Sequence, residues 1–231
     1  MSDYRLQLLI DPNDLVIIRA AGQRITLARS VNSDSSPNVI WLSVEPFQST
    51  EVQWTDEYGI YASTTSVTQG ASITKVSETP IPAQDGASYS FTAAAVFNGP
   101  FPGGVPRGTY QAQNDMPYSA YPVLTFGLMQ SALVNQQHAE HKPISAVPVL
   151  ATQVASLTPS NTVYIWLQSQ FGSQTVISKI IGSLTVARFG GGVSEISLKY
   201  DPNRGVFAPL PGKGKAQAEH PHIELVTPLL H

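Results

Sequence analysis

The sequence predicts a mainly β protein, built as one or two antiparallel β-sandwiches with at most one short helix. Three observations carry this expectation. Ser, Thr, Gly and Pro make up about a third of the 231 residues, a mixture suited to many short strands joined by turns. Charged residues are only 13%, about half the usual share. Apolar and polar residues alternate with period 2 in several segments, as half-buried strands require.

Taken in order, Leu6, Leu8 and Ile10 predict a first strand, and Ile25 and Leu27 a second. Tyr89, Phe91, Ala93, Ala95 and Phe97 alternate with Ser88, Ser90, Thr92 and Ala94 to predict another. Ile196, Leu198 and Tyr200 alternate with Glu195, Ser197 and Lys199 in the same way. Turns are predicted at Asp11-Pro12-Asn13-Asp14, Ala21-Gly22, Asp85-Gly86 and Asp201-Pro202-Asn203. Val39–Leu42 and Val163–Leu167 are apolar on both faces, which predicts strands covered on both sides. The helix is expected over Phe126 to Glu140, where Leu128 and Ala132, with Met129 and Leu133, stand at helical spacing.

Ile40-Trp41-Leu42 and Ile165-Trp166-Leu167 also align with each other, bringing Phe47 onto Phe171, Ser49 onto Ser173 and Val52 onto Val176. Gly70 to Glu78 loosely echoes Gly192 to Tyr200. Two similar halves would follow if this is a duplication; chance likeness between β-rich segments is the alternative. The organisation expected is a β-sandwich half over residues 1–97 and a Gly/Pro-rich linker or long loop over 98–120. A second half follows over 121–208, then an extended or disordered tail over 209–231.

A net charge of −3 and a pI near 5.9 give no basic face for nucleic acid. No apolar run approaches the roughly 20 residues of a membrane-spanning helix. The polar start, Met1 to Arg5, reads as lacking a signal peptide, so the expected location is cytoplasmic, or outside the cell by leaderless release. Without cysteine there are no disulfides and no thiolate chemistry. Pro143 to Ser178 carries no Asp, Glu, Lys or Arg, which suggests burial in a homo-oligomeric interface or a Ser/Thr-wetted strand region.

No complete catalytic set stands in the sequence. There is no Gly-x-Ser-x-Gly elbow and no HExxH, and neither Gly190-Gly191-Gly192 nor Pro211-Gly212-Lys213-Gly214-Lys215 is a phosphate-binding loop. His138 and His141 would share a helix face, and His220 and His222 flank Pro221, yet neither pair has a catalytic metal spacing. The expectation is therefore no metal, no cofactor and no enzyme. Trp54, Asp56, Glu57, Tyr58 and Tyr61 combine aromatic rings with acid acceptors, the types a sugar site needs for ring faces and hydroxyls. Adjacent Asp56 and Glu57 would point to opposite faces of a strand and cannot form a hydrolytic carboxylate pair. Asn114, Asp115 and Tyr118 form a second candidate group.

The function expected is lectin-like recognition of a glycan or other uncharged ligand, the other reading of each aromatic group being core packing. Ser63 to Thr74, polar, small and strand-prone, suggests an alternative: a pore-forming or membrane-active defence toxin acting at a membrane surface. A self-assembling structural protein, joined through the uncharged segment, is the second alternative.

Overall fold

Leu6 and Leu8 point to one face of the first strand and are fully buried, and the remaining strands assemble around them. The computed structural model describes residues 3–32, 36–210 and 223–226. Among these, the largest sheet has nine strands. Its order is β17 (Val206–Pro209), β16 (Glu195–Asp201), β1 (Asp3–Leu9), β4 (Ser49–Thr55), β10 (Val123–Val134), β5 (Gly59–Ser63) and β6 (Lys75–Glu78). Strands β11 (Gln137–Pro143) and β12 (Val147–Leu150) also pair with β10. A five-stranded sheet runs β18 (Ile223–Val226), β15 (Leu184–Arg188), β14 (Pro159–Gln168), β2 (Arg24–Val31) and β3 (Ile40–Val44). A four-stranded sheet runs β13 (Val154–Leu157), β9 (Tyr110–Asn114), β7 (Ala87–Phe91) and β8 (Phe97–Pro102). All pairs are antiparallel except β1 with β16 and β7 with β9.

The mainly β, antiparallel sandwich class is as the sequence predicts. Leu6 of β1, Leu27 of β2 and Ala112 of β9 belong to one hydrophobic cluster, so the three sheets share a core. The division into residues 1–97 and 121–208 is not how the chain packs. β1 pairs with β16, and β2 with β14, so strands from both stretches interleave. The two tryptophan motifs flank the same strand, β2, but Trp41 enters the main cluster and Trp166 a separate one. Their partner segments take unlike places: β6 ends the large sheet, whereas β16 lies inside it.

Several local expectations are corrected. The helix lies at α1 (Pro12–Ala20), where a turn was expected, with proline in its first turn, Asp14 beside it and Arg19 in the last turn to complement the dipole. Residues 126–140 form the β10–β11 hairpin instead, turned at Asn135 and Gln136, whose φ values of 46° and 67° suit a tight two-residue connection. The β10 strand is buried on both faces, so both parities are apolar and the period-2 signal vanishes. Gly127 reports the same crowding: a Cβ there would stand 1.9 Å from the Ser145 carbonyl oxygen.

Residues 98–120 hold most of β8 and all of β9, where a Gly/Pro-rich linker or long loop was expected. The prolines of β8 are tolerated because it is an edge strand with one partner. The strand expected to run to Phe97 ends at Phe91. Thr92 to Ala95 then form a turn, closed by bonds from Thr92 N to the Val96 carbonyl and from Ala95 N to the Thr92 carbonyl, with Ala95 at φ 59°.

The uncharged stretch from Pro143 has a local explanation. β14 lies between β2 and β15 with both ladders occupied, and β12 and β13 pack Val149 and Leu157 inward. Of Ser63 to Thr74, only Ser63 belongs to a strand, the end of β5; Thr64 to Thr74 is the loop that leads to β6. Hydroxyls of this segment hold the loop itself, as in Ser63 Oγ to the Thr74 carbonyl at 2.6 Å. No helix among the described residues is long and apolar enough to cross a membrane.

Candidate functional site

Trp54 lies on the inward parity of β4 and is 4% exposed, with edge contacts to Trp41 at 5.6 Å and Phe189 at 4.9 Å between ring centroids. Tyr58 and Tyr61 are also buried. The Tyr61 hydroxyl donates to the Ser145 carbonyl at 2.6 Å, and burial pushes its phenol well above the ordinary range. Tyr58 is pushed up by burial as well, with the charge of Arg29 opposing the shift. Asp56 accepts from the hydroxyls of Tyr4 at 3.0 Å and Tyr58 at 3.2 Å, while Glu57 is half-buried.

The expected sugar platform is therefore core. Trp54 on β4, Tyr58 in the β4–β5 connection and Tyr61 on β5 all pack into buried hydrophobic clusters, and large aromatic rings are the material such a core uses. Asn114 is likewise interior, donating to the Val149 carbonyl at 3.0 Å and accepting from Met116 N at 3.1 Å. Asp115 is exposed and accepts from Ser90 and Gln113, and Tyr118 is 73% exposed. The eight residues are not gathered into one concave site.

The buried aromatics enclose a residue the sequence reading passed over. Arg29, 1% exposed, places its guanidinium carbon 5.7 Å from the ring centroids of Trp41, Trp54 and Tyr58. It donates to Gln130 Oε1 and, at 2.7 Å, to the Ser160 carbonyl. Gln130 in turn donates to the Thr55 carbonyl at 2.6 Å and accepts at its own carbonyl from Trp41 Nε1 at 3.2 Å. The signal was present in β2: Arg29 shares the core-facing parity of Ile25, Leu27 and Val31.

Open concavities lie elsewhere, on either side of the β10–β11 hairpin. One, of about 650 Å³, runs between β3 and β11, and the other, of about 450 Å³, opens where β4 and β10 part. His138 lines both, and of the eight expected site residues Trp54 alone contributes to either wall. In the larger groove Phe47 is 46% exposed, with the Arg19 guanidinium 5.3 Å over its ring and anchored on the Pro46 carbonyl. Arg24 is held by Ser43 Oγ at 3.0 Å, the Ser43 carbonyl at 3.0 Å and Glu45. Gln137, Lys142 and Asn135 complete the polar wall, and Lys142 has no ion pair among the described residues.

The two histidines of this hairpin are separated by a bulge. Ala139 to Lys142 on β11 spans only Ala132 to Gln130 on β10, and His141 there adopts φ 48°. His141 Nδ1 meets Glu78 Oε1 at 2.6 Å, whereas His138 faces the grooves. His220, His222 and the Pro211–Lys215 run lie outside the described residues, as does most of the expected tail.

No protein-family model matches the chain, and neither the curated proteins nor the solved structures give a match.

Proposed function

We propose that this is a non-enzymatic binding protein whose ligand, a glycan, docks in the groove between β3 and the β10–β11 hairpin. The observation that carries the reading is Phe47, a half-exposed ring held in place by Arg19 at the side of a concavity large enough for a sugar residue. A sugar needs an apolar face for its ring and hydrogen-bonding groups for its rim. Phe47 and Val134 supply the first; Gln137, Asn135, Ser49 and Ser173 supply the second. Glu45 is the sole carboxylate on the groove's described wall and is engaged by Arg24, so the groove lacks the opposed acid pair of a glycosidase.

A glycan array probed with the folded protein tests the reading. Binding to one sugar class is expected, weakened about tenfold by Phe47→Ala, the loss of roughly 1.4 kcal/mol of stacking. Folded protein that binds no sugar class overturns it.

A second reading, self-assembly through the uncharged segment, is favoured by one observation. Val123 of β10 and Leu150 of β12 are cross-strand neighbours and both exposed, near exposed Tyr121. Light scattering that finds only monomer at high concentration removes it.

A further inference from the structure

Arg29 is a fully buried guanidinium with no ion pair among the described residues. Its position on β2 forces the burial, because the parity of Ile25, Leu27 and Val31 faces the shared core. A charge in such a place is costly unless compensated. Three ring faces help, but they carry no net charge. Asp56 bonds the hydroxyls of Tyr4 and Tyr58 and forms no salt bridge with Arg29. Of the five guanidinium N–H groups, Gln130 and Ser160 account for two, and Nε has no partner at all.

Arg29 also forms a wall of a cavity of about 150 Å³. Asn32, Ser36, Asn38, Ser145 and Val147 line it as well, and no carboxylate does among the described residues. Asn32 and Ser36 are exposed, which puts the cavity's mouth at the surface. Asn38 is spent on the Ala146 backbone, donating to its carbonyl and accepting from its N–H. Ser145 Oγ accepts from Leu128 N, which leaves its O–H free to donate. The described walls of the cavity therefore offer positive charge and hydroxyl donors, with no carboxylate among the described residues to compete.

We propose that Arg29 marks an internal anion site: a small monovalent anion, either a halide or the carboxylate of a short acid, occupies this cavity as the counter-ion of the guanidinium. Such a ligand is bound by the folded chain alone, because β2, the loop that follows it and the Ser145–Val147 stretch at the start of β12 must come together to form the cavity. Anion binding and folding are thus linked, and the anion stabilises the protein by mass action. The site is separate from the Phe47 groove, since the two cavities share no lining residue.

Unfolding in urea is measured at constant ionic strength while sodium sulfate is replaced by sodium chloride or sodium acetate. Above the dissociation constant, the unfolding equilibrium constant is expected to fall about tenfold for each tenfold rise in the bound anion. A response to chloride alone identifies a halide site, and a response to acetate alone a carboxylate site. Arg29→Met, which exchanges the buried charge for an apolar chain of similar length, is expected to lose the response and to remain folded. Should that variant not fold, bromide soaked into crystals of the unaltered protein decides, with an anomalous peak expected against the guanidinium. Equal stability in all three salts with no bromide peak overturns the proposal.

Discussion

Arg29 and Arg19 both lie over aromatic rings, 5.7 Å from Trp41, Trp54 and Tyr58 in one case and 5.3 Å from Phe47 in the other, but in opposite surroundings. Around Arg29 the rings are sealed inside the protein: Trp41 Nε1 and the Tyr58 hydroxyl find partners there, while Trp54 Nε1 has none among the described residues. Around Arg19 the guanidinium rests on the Pro46 carbonyl and the ring it covers still meets water. Aromatic side chains beside charge thus serve either as core or as a contact surface. What separates the two is whether another sheet lies over them.

Stability measurements break this comparison most directly. Trp54→Ala removes a ring packed edge-on against Trp41 and Phe189, and is expected to cost about 3–5 kcal/mol in urea unfolding. Phe47→Ala removes a half-exposed ring and is expected to change stability by no more than about 0.5 kcal/mol. Comparable losses in the two variants would make Phe47 part of the core and remove it from any binding surface.

Alkali sharpens the interior side of the comparison. Burial raises the phenols of Tyr58, Tyr61 and Tyr110 above the ordinary value of 10.0. Raised phenols hold their protons in the folded chain where the unfolded chain has lost them. The stability they contribute is complete below pH 10 and declines as pH rises beyond it. Phenolate absorbance from these three is expected to appear only together with loss of the β-sheet circular dichroism signal. Ionisation of all nine tyrosines with the sheet signal intact would contradict the burial.

Legibility in the sequence followed the same division between covered and uncovered surfaces. Strands with one wet face, such as β1 and β16, kept their alternation and were read correctly from Leu6, Leu8, Ile196 and Leu198. β10 lost its alternation because both faces are buried, and its Leu and Met residues then imitated a helix. α1 escaped notice because Pro12-Asn13-Asp14 serves a turn as readily as a first helical turn. The fate of the Trp54 group was not legible, since its cover is assembled from separate stretches of chain: Tyr4 on β1, Arg29 on β2, Trp41 on β3 and Phe189, more than a hundred positions away. The groove lies partly on the misread hairpin, so Asn135, Gln137 and Lys142 could not be placed beside Phe47.

The smallest effect expected is at Glu78, a charge that is neither in the core nor in the groove. Burial pushes its carboxyl up, but hydrogen bonds from Lys75 and His141, with their charges, more than offset this and hold it below the ordinary 4.5. A carboxyl lowered on folding contributes stability that is present above pH 4.5 and is lost as pH falls through its folded value. Exposed pairs of this kind are worth about 0.2–1 kcal/mol, and a side chain one-third exposed belongs near that range. Glu78→Gln is therefore expected to be slightly less stable than the unaltered protein at neutral pH, with the gap closing in acid. A gap that stays constant down to the acid transition would mean that Glu78 acts through packing against β10 and β11. It would then behave like the covered interior, although its carboxylate stands at the edge of the sheet.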